Sequence, residues 1–450
     1  MKIPFSSYWL RSAFYTIMQR FSITLFALVN YMVLVRSLSK PQMGTWALFL
    51  IVTTVFETTK SALLKNAHIK YMSTSSDVRE KREIASVSFV INSGISILFI
   101  LAILLFSGQL GVLLNTGPDL MRMLIWFIPG LICMVIFSHL EATQQSHLDF
   151  KGVFAGYFVR QVVFFLAILA HTIAKVPFTL EELAMYQSIS LVLGTFVIYL
   201  YTRKYMEHRF SFSLPWTRRI VAYGGYIFGS GAVSNIFLNL DQLMTAAFLS
   251  SSSVAYYNAA NRINQLIDIP SYAAADVIFP KVSRASAEEG NSKVNYLYER
   301  MVSILLSFTI PTALFIIVFP KFIITEISGA RYIAAAPILQ LYMITGILRP
   351  VQNQAANVLN SIGKSGLVFA LNCIYLAGNL GINYYCLHRF GFYGAAFGSV
   401  ITFSLGAVMW YFVMKKQIGF RIGAVWGYML DLYKMIYAYA IKLFSKNLRS

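Results

Sequence analysis

Residues 84–107 read IASVSFVINSGISILFILAILLFS, a stretch of 24 residues that contains no Asp, Glu, Lys or Arg. An α-helix needs about 20 mostly apolar residues to cross the hydrocarbon core of a bilayer. This stretch therefore predicts a transmembrane helix, and runs of the same kind recur along the rest of the chain.

The apolar runs fall into two sets of six, separated by the basic stretch Arg203 to Arg219. The first run, Phe14 to Val35, is not followed by a small-residue cleavage site, so it is interpreted as a span and not as a signal peptide. We predict an all-α polytopic membrane protein with about 12 transmembrane helices. The predicted spans lie near 14–35, 44–64, 84–107, 121–139, 153–173, 183–202, 220–240, 254–279, 301–320, 334–359, 366–387 and 394–414.

The composition excludes a soluble domain. Of the 450 residues, 57% are hydrophobic and only 12% are charged, and the mean hydropathy is +0.63, whereas soluble domains carry roughly 25% charged residues. The net charge is +19, from 37 Lys and Arg against 18 Asp and Glu. These charges lie in short segments between apolar runs, which favours anionic lipid headgroups over nucleic acid as their partner. The three cysteines fall inside apolar runs without metal-ligand spacing, so no disulfide framework is expected.

The distribution of Lys and Arg predicts that both termini are cytoplasmic. With that orientation, about 25 basic residues lie inside and about 7 lie outside, and the opposite orientation would invert this bias. The last segment, 421–450, has apolar residues at helical spacing with basic residues between them. This pattern predicts an amphipathic cytoplasmic helix in the headgroup region, and a thirteenth span is the alternative.

Several predicted spans carry polar stripes, which indicate an enclosed polar cavity because charged residues are costly in lipid. The stripes are Thr16, Arg20 and Thr24; Thr53, Glu57 and Lys60; Asn258, Asn261, Arg262, Gln265 and Asp268; and Arg349, Asn353, Asn357 and Asn360. The candidate cavity residues are Arg20, Arg160, Arg262, Arg349, Lys60, Glu57, Gln265 and Asn353. The arginines outnumber their acidic neighbours, so they predict an anionic cargo with phosphate or carboxylate groups.

Structural roles compete with this interpretation. Glu57 and Lys60 are three residues apart and can neutralise each other, and Asp268 can pair with Arg262 in place of binding an ion. Asp241, Asp276 and Glu141 lie near span ends, where they are expected to reach the interface. The Asn and Gln stripes can also serve as interhelical contacts. Gly225 and Gly229, and likewise Gly394 and Gly398, are spaced as close-packing sites between helices.

Signals of catalysis are absent from the sequence. The six histidines have no metal spacing, and no phosphate-binding loop, nucleophile elbow or dinucleotide fingerprint occurs. We therefore expect neither an enzyme nor a cofactor. Any driving force must then come from a gradient, with proton or sodium coupling left open, or from the concentration difference of the cargo.

The second half of the chain resembles a known family. The run YGGYIFGSGAVSNIFLNLDQLMTAAFLSSSSVAYYNAANRI at 223–263, then VIFPKVSRA, then NVLNSIGKSGLVFALN, is similar to the polysaccharide transporter family of oligosaccharide-lipid flippases. That family belongs to the superfamily that also holds the multidrug and toxin extruders. The resemblance covers roughly Tyr223 to Gly419, and LVRSLSKPQMGTWALF at 34–49 resembles the first extracellular turn.

The resemblance implies two pseudo-symmetric six-helix bundles around a central cavity that opens to one side at a time. The lobes would be 1–210 and 211–420, followed by the tail 421–450. The implied cargo is an oligosaccharide on a polyprenyl diphosphate, as in O-antigen or capsule biosynthesis. The protein would move it across the bacterial inner membrane, beside a polysaccharide polymerase and a chain-length regulator as candidate partners. A gradient-driven small-molecule antiporter of the same superfamily and a non-transporting scaffold are the alternatives, and the excess of arginine argues against the antiporter.

Overall fold

A computed structural model describes residues 7–75, 77–206 and 210–447, and every regular element in these ranges is helical. The prediction of an all-α fold is thereby confirmed. The helices are α1 (Ser7–Ser37), α2 (Lys40–Thr74), α3 (Val78–Leu113), α4 (Pro118–Trp126), α5 (Ile128–Ser146), α6 (Lys151–Ile173), α7 (Leu180–Thr202), α8 (Leu214–Phe248), α9 (Ser251–Glu288), α10 (Asn291–Val318), α11 (Pro320–Ser328), α12 (Ala336–Ser361), α13 (Ser365–Phe390), α14 (Gly394–Ile418) and α15 (Ile422–Asn447).

Eight helical stretches in the described ranges are long and apolar enough to cross a membrane, or nine if the bent pair α4 and α5 is one span. One of the eight, Ser365–Ile418, contains both α13 and α14. The chain is thus a multi-pass membrane protein, while the count of twelve spans stays a prediction.

Most predicted spans fall within single helices, and the exceptions have a covalent cause. The span expected at 121–139 is broken at Phe127, where α4 and α5 meet at an angle of 47°. The span expected at 301–320 ends with α10 at Val318. Pro129 and Pro320 stand in the first turns of the helices that follow these breaks. Proline lacks an amide hydrogen and is tolerated in a first turn, so it marks a new helix start.

Side chains define where two of the long helices begin. Ser39 Oγ accepts from the amide of Gln42 at 3.4 Å, and Gln42 Oε1 accepts from the amide of Ser39 at 3.0 Å. Thr179 and Glu182 form the same reciprocal arrangement before α7, at 3.3 and 3.1 Å. Such capping boxes satisfy amides that have no partner inside the helix, so these starts are encoded locally.

The chain divides into two compact units. Unit 1 comprises residues up to Asn239 together with Ala246–Ala255. Within it, α6 packs against α1 and α7, and α5 packs against α2 and α7. A Cβ at Gly194 would lie 2.9 Å from the carbonyl oxygen of Gly156, so only glycine permits this approach of α7 to α6.

Unit 1 also holds the first turns of α8. Trp216 and Ile220 are buried in a cluster with Leu64 of α2 and Ile84 of α3. The ring of Trp216 stands edge-on to that of Tyr71 with centroids 5.3 Å apart. The start of α8 therefore belongs to the core of unit 1.

Unit 2 comprises Leu240–Thr245 and Tyr256–Ser450. Within it, α12 packs against α10 and α14, and α13 packs against α14. A Cβ at Gly394 would overlap the backbone of Cys386, and one at Gly398 would overlap the side chain of Asn383. The close-packing role predicted for these two glycines is therefore confirmed. No described atom lies within 4 Å of a Cβ built at Gly225, so the same role for Gly225 and Gly229 stays a prediction.

The C-terminal segment forms α15, which packs against α10. Val425 and Met429 are buried in the core of unit 2, and the hydroxyl of Tyr433 donates to the Ser307 carbonyl at 2.7 Å. The turn before α15 is held by the buried carboxylate of Glu299, which accepts from the amide of Arg421 at 2.9 Å. One face of the helix is thus packed on protein, and whether the helix lies in the headgroup region stays a prediction.

Candidate functional site

Glu57 and Lys60 of α2 contact different neighbouring helices. Glu57 Oε1 lies 3.8 Å from Arg160 Nη1 on α6, so Glu57 makes an ion pair to a second helix, and its neutralisation of Lys60 on its own helix stays a prediction. Lys60 is 2% exposed and donates from Nζ to Ser96 Oγ of α3 at 3.3 Å. Its Nζ also stands 5.2 Å from the centre of the Phe56 ring, which favours a cation there. The two residues share a helix but serve contacts to different neighbours.

Glu141 was expected at the interface, and this expectation is wrong. Its side chain is buried, and its carboxylate accepts from Lys65 Nζ at 2.7 Å, from Gln145 at 3.1 Å and from the Tyr157 hydroxyl at 3.2 Å. These donors come from α2, α5 and α6. A buried charge is stable only when it is paired and hydrogen-bonded, so Glu141 joins three helices of unit 1.

A small polar cavity lies beside this cluster, with about 20 Å³ of space for water-sized groups. His68 is 1% exposed and faces His139 edge-on with ring centroids 5.2 Å apart. Neither ring nitrogen of His68 has a hydrogen-bond partner among the described residues. The walls are Lys60, Ser61, Leu64, Lys65, His68, Ser88, Asn92, Ser138, His139 and Ala142. Lys60 was one of the predicted cavity residues, but the other lining residues could not be grouped with it by spacing, because most of them lie far apart along the chain.

Arg349 of α12 is the best-defined cation of unit 2. It contacts the carboxylate of Asp268 on α9, so the predicted pairing of Asp268 with Arg262 is wrong. The side chain of Asp268 is 4% exposed and that of Arg349 is 13% exposed. The guanidinium carbon also stands 5.4 Å from the centre of the Phe403 ring. Arg349 therefore has an acidic partner on a neighbouring helix and an aromatic ring beside it.

Asp241 was also assigned to the interface, and it instead anchors a network. Its carboxylate accepts from Asn383 at 3.0 Å, from the Tyr342 hydroxyl at 3.1 Å and from the hydroxyl of Ser399. These donors lie on α13, α12 and α14, whereas Asp241 is on α8. Three neutral donors make a carboxylate tolerable away from water. Only the proximity created by the fold reveals this network.

The remaining candidates are placed as follows. In unit 1, Arg20 is exposed on α1, and the Thr24 hydroxyl of the same stripe donates to the Arg20 carbonyl at 3.0 Å. In unit 2, Gln265 is exposed on α9, while Arg262 and Asn353 are half-buried. Their roles as cavity residues stay predictions. Among the residues that the structure describes, no group of three or more His, Cys, Asp and Glu is placed to hold a metal ion.

Outside the membrane-spanning segments, the turn between α5 and α6 carries a second carboxylate cluster. Burial disfavours the charged form of Asp149, but hydrogen bonds from Lys204 at 3.0 Å, the Lys151 amide at 3.2 Å and Tyr205 at 3.0 Å outweigh it and lower its pKa. A lowered pKa means that this cluster stabilises the fold at neutral pH. The stabilisation is lost as the pH falls below the ordinary value of 3.8 through the lowered pKa.

The fold is that of a known class of membrane transporters. A solved structure of the lipid II flippase MurJ in an inward closed conformation superposes with a TM-score of 0.78, at 15% identity, over 96% of this chain and 93% of that one. An inward-facing multidrug resistance transporter of the MATE family superposes with a TM-score of 0.75, at 16% identity, over 88% and 94%. At these identities the likeness shows the fold alone.

The sequence defines the family. The profile described as "polysaccharide biosynthesis protein" matches residues 33–337, and the chain belongs to this family. The chain is similar to the lipopolysaccharide biosynthesis protein WzxC of Escherichia coli, at 21% identity over 93% of this chain and 85% of the relative. It is also similar to the teichuronic acid biosynthesis protein TuaB of Bacillus subtilis, at 25% identity over 68% of this chain. That alignment spans only 56% of TuaB, little more than half of its length.

Proposed function

We propose that this protein is a flippase that carries an oligosaccharide repeat unit on a polyprenyl diphosphate from the cytoplasmic to the outer leaflet. It would do so by alternating access, for the biosynthesis of a cell-surface polysaccharide. The family match over residues 33–337 is the observation that carries the proposal, since relatives of the chain are named for lipopolysaccharide and teichuronic acid biosynthesis. The MurJ-like fold is consistent with it.

The charged residues give the proposal a physical basis. Arg160 and Arg349 lie on helices long and apolar enough to span the membrane, and each has only one carboxylate partner in the described residues. Guanidinium groups bind phosphate through parallel hydrogen bonds. We assign Arg20, Arg160, Arg262, Arg349, Lys60, Glu57, Gln265 and Asn353 to a central cavity that attracts the diphosphate or acidic sugars. The polyprenyl tail would stay in lipid while the polar head crosses.

The proposal also covers the localisation, topology and partners of the protein. It places the chain in the bacterial inner membrane with both termini in the cytoplasm, and divides it into lobes 1–210 and 211–420 and a cytoplasmic tail 421–450. A polysaccharide polymerase and a chain-length regulator would act next to it. The protein would perform no covalent chemistry, and the driving force would come from a proton or sodium gradient or from the concentration difference of the cargo.

The test is to delete the gene and follow the lipid-linked oligosaccharide. We expect repeat units to accumulate undelivered at the cytoplasmic face, and a plasmid copy of the gene to restore delivery. A gradient-driven drug antiporter would behave differently: deletion would leave repeat units delivered normally and raise sensitivity to cationic drugs. That result would overturn the flippase proposal.

A further inference from the structure

The contact between Asp268 and Arg349 leaves part of the guanidinium unused. A guanidinium has five N–H donors and commonly grips a carboxylate with two parallel bonds. Here a single contact is made, from Nη1 of Arg349 to one carboxylate oxygen of Asp268. Nε of Arg349 is buried and has no hydrogen-bond partner among the described residues. The arginine thus retains donors that Asp268 does not use.

The contact surface between α9 and α12 around this pair, called the seam below, holds a second polar side chain without a hydrogen-bond partner among the described residues. Asn264 of α9 is fully buried, and neither its amide nitrogen nor its amide oxygen has a hydrogen-bond partner in the described ranges. Asn264 lies one turn of α9 before Asp268. Gly346 of α12 faces it and permits the close approach of α12 to α9, because a Cβ at Gly346 would stand 3.3 Å from Asn264 Oδ1. One turn further along, Gln354 of α12 donates to the Ser271 carbonyl at 2.9 Å. The seam is therefore held at one end and carries unused donors near Arg349.

Asp268 and Arg349 differ in exposure and in ring contacts. The side chain of Asp268 is 4% exposed, whereas that of Arg349 is 13% exposed and stands over the Phe403 ring. An aromatic face supports a guanidinium without consuming its N–H donors. Arg349 can therefore keep its position while the anion that it contacts changes.

We infer that Asp268 is an internal competitor that occupies Arg349 in the absence of cargo and yields it to the anionic group of the cargo. The inference rests on the proposed function, since it assumes that Arg349 receives that group. A diphosphate would take the two parallel bonds that Asp268 does not form, with the amide of Asn264 beside it. The Asp268–Arg349 contact then keeps a charge paired in the apolar interior during the return of the cargo-free protein.

Competition has a measurable consequence. When only a fraction of molecules has the arginine available, the apparent Kd exceeds the intrinsic Kd by the inverse of that fraction. If the contact is closed in about nine molecules of ten, its removal lowers the apparent Kd about tenfold. If the pair is purely structural, its removal leaves the apparent Kd unchanged or raises it, because loosening the contact between α9 and α12 does not improve binding of the anion.

The experiment measures binding of farnesyl diphosphate, a soluble short-chain polyprenyl diphosphate, to the full chain in detergent. We expect Asp268→Asn to lower the Kd about tenfold and Arg349→Gln to raise it about tenfold or more. The double variant should match Arg349→Gln alone, because the competitor matters only when the arginine is present. Glu299→Gln is the matched control, another buried carboxylate of unit 2 changed to its amide, and it should leave the Kd within about twofold.

A parallel titration with glucuronate distinguishes the two sources of negative charge. A gain of affinity in Asp268→Asn for farnesyl diphosphate alone assigns the site to the diphosphate, and a gain for glucuronate alone assigns it to an acidic sugar. If Asp268→Asn does not fold, Asp268→Ser removes the same charge with a smaller side chain and serves in its place.

The outcomes separate the inference from the proposed function. An unchanged or raised Kd in a folded Asp268 variant, with weakened binding in Arg349→Gln, overturns the competition and leaves the flippase proposal standing. Unchanged binding in Arg349→Gln removes this arginine from the cargo site, and both the inference and that part of the proposed function fall.

Discussion

Lys65 donates to the carboxylate of Glu141 at 2.7 Å across 76 positions of sequence. The contact joins α2 to α5 in the interior of unit 1, where Tyr157 of α6 also donates to the same carboxylate. We expect Glu141→Gln to destabilise the fold by about 1–3 kcal/mol, because Lys65 loses its charged partner and a buried amide replaces the shared acceptor.

The measurement is the midpoint of thermal unfolding in detergent, and Glu289→Gln is the control. Glu289 pairs with Lys293 at 3.1 Å, but both side chains are about half exposed. Exposed pairs contribute about 0–1 kcal/mol, so the control should be nearly neutral. Equal midpoints for the two variants would show that Glu141 has no special role in packing.

The glycines of α14 and α8 should respond in opposite ways to the same change. Gly398→Ala places a methyl group into the side chain of Asn383, which in turn donates to Asp241. We expect a loss of stability or of folded yield. Gly225→Ala meets no described atom within 4 Å, so it should be neutral or gain roughly 0.5–1 kcal/mol from helix propensity. Folded yield by size-exclusion chromatography checks both, and a tolerated Gly398→Ala would contradict the packing account.

The C-terminal helix should stabilise unit 2 without being needed for membrane insertion. Deleting residues after Phe420 removes Val425 and Met429 from the core and uncovers the face of α10 that they occupy. We expect a truncated protein that still requires detergent for extraction but unfolds at a lower temperature. Complete loss of folded protein would mean that α15 acts as an indispensable span.

The bias of Lys and Arg predicts the position of the last loop. Lys415 and Lys416 lie in the last turn of α14, and Arg421 lies in the short connection between α14 and α15. A fluorescent protein fused after Lys416 should fluoresce, and alkaline phosphatase fused at the same site should be inactive. Active phosphatase at that position would reverse the topology.

Much of the fold could be predicted because apolar length is a local property. The spans expected at 84–107 and 153–173 lie within α3 and α6, since a run of apolar residues defines a membrane helix whatever its neighbours are. The break at Phe127 was missed, although Pro129 was a visible local signal for it. The resemblance quoted from residues 223–263 agrees with the family to which the chain belongs.

The pairing of charges could not be predicted, because it depends on contacts between helices. Spacing along one helix suggested that Glu57 pairs with Lys60 and that Arg262 pairs with Asp268. The ion pairs that the fold forms at these residues are between helices, Glu57 with Arg160 and Asp268 with Arg349. Sequence spacing constrains which residues share a helix face but carries no information about the residue that the neighbouring helix presents. Asp241 and Glu141 were misplaced for the same reason.

The central claim is that arginines in the cavity hold the lipid-linked oligosaccharide during transport. The most direct test measures undelivered repeat units in cells that carry arginine variants. Arg20, Arg262 and Arg349 are each replaced by Ala and by Lys, and membrane abundance is measured in the same cells. We expect the alanine variants to cut delivery about tenfold or more when delivery is normalised to membrane abundance, since a hydrogen bond to a charged group contributes roughly 1.5–3 kcal/mol. Lysine should give an intermediate defect if the guanidinium fork grips phosphate. Normal delivery by all three alanine variants at normal abundance would contradict the account of an anionic cargo held by these arginines.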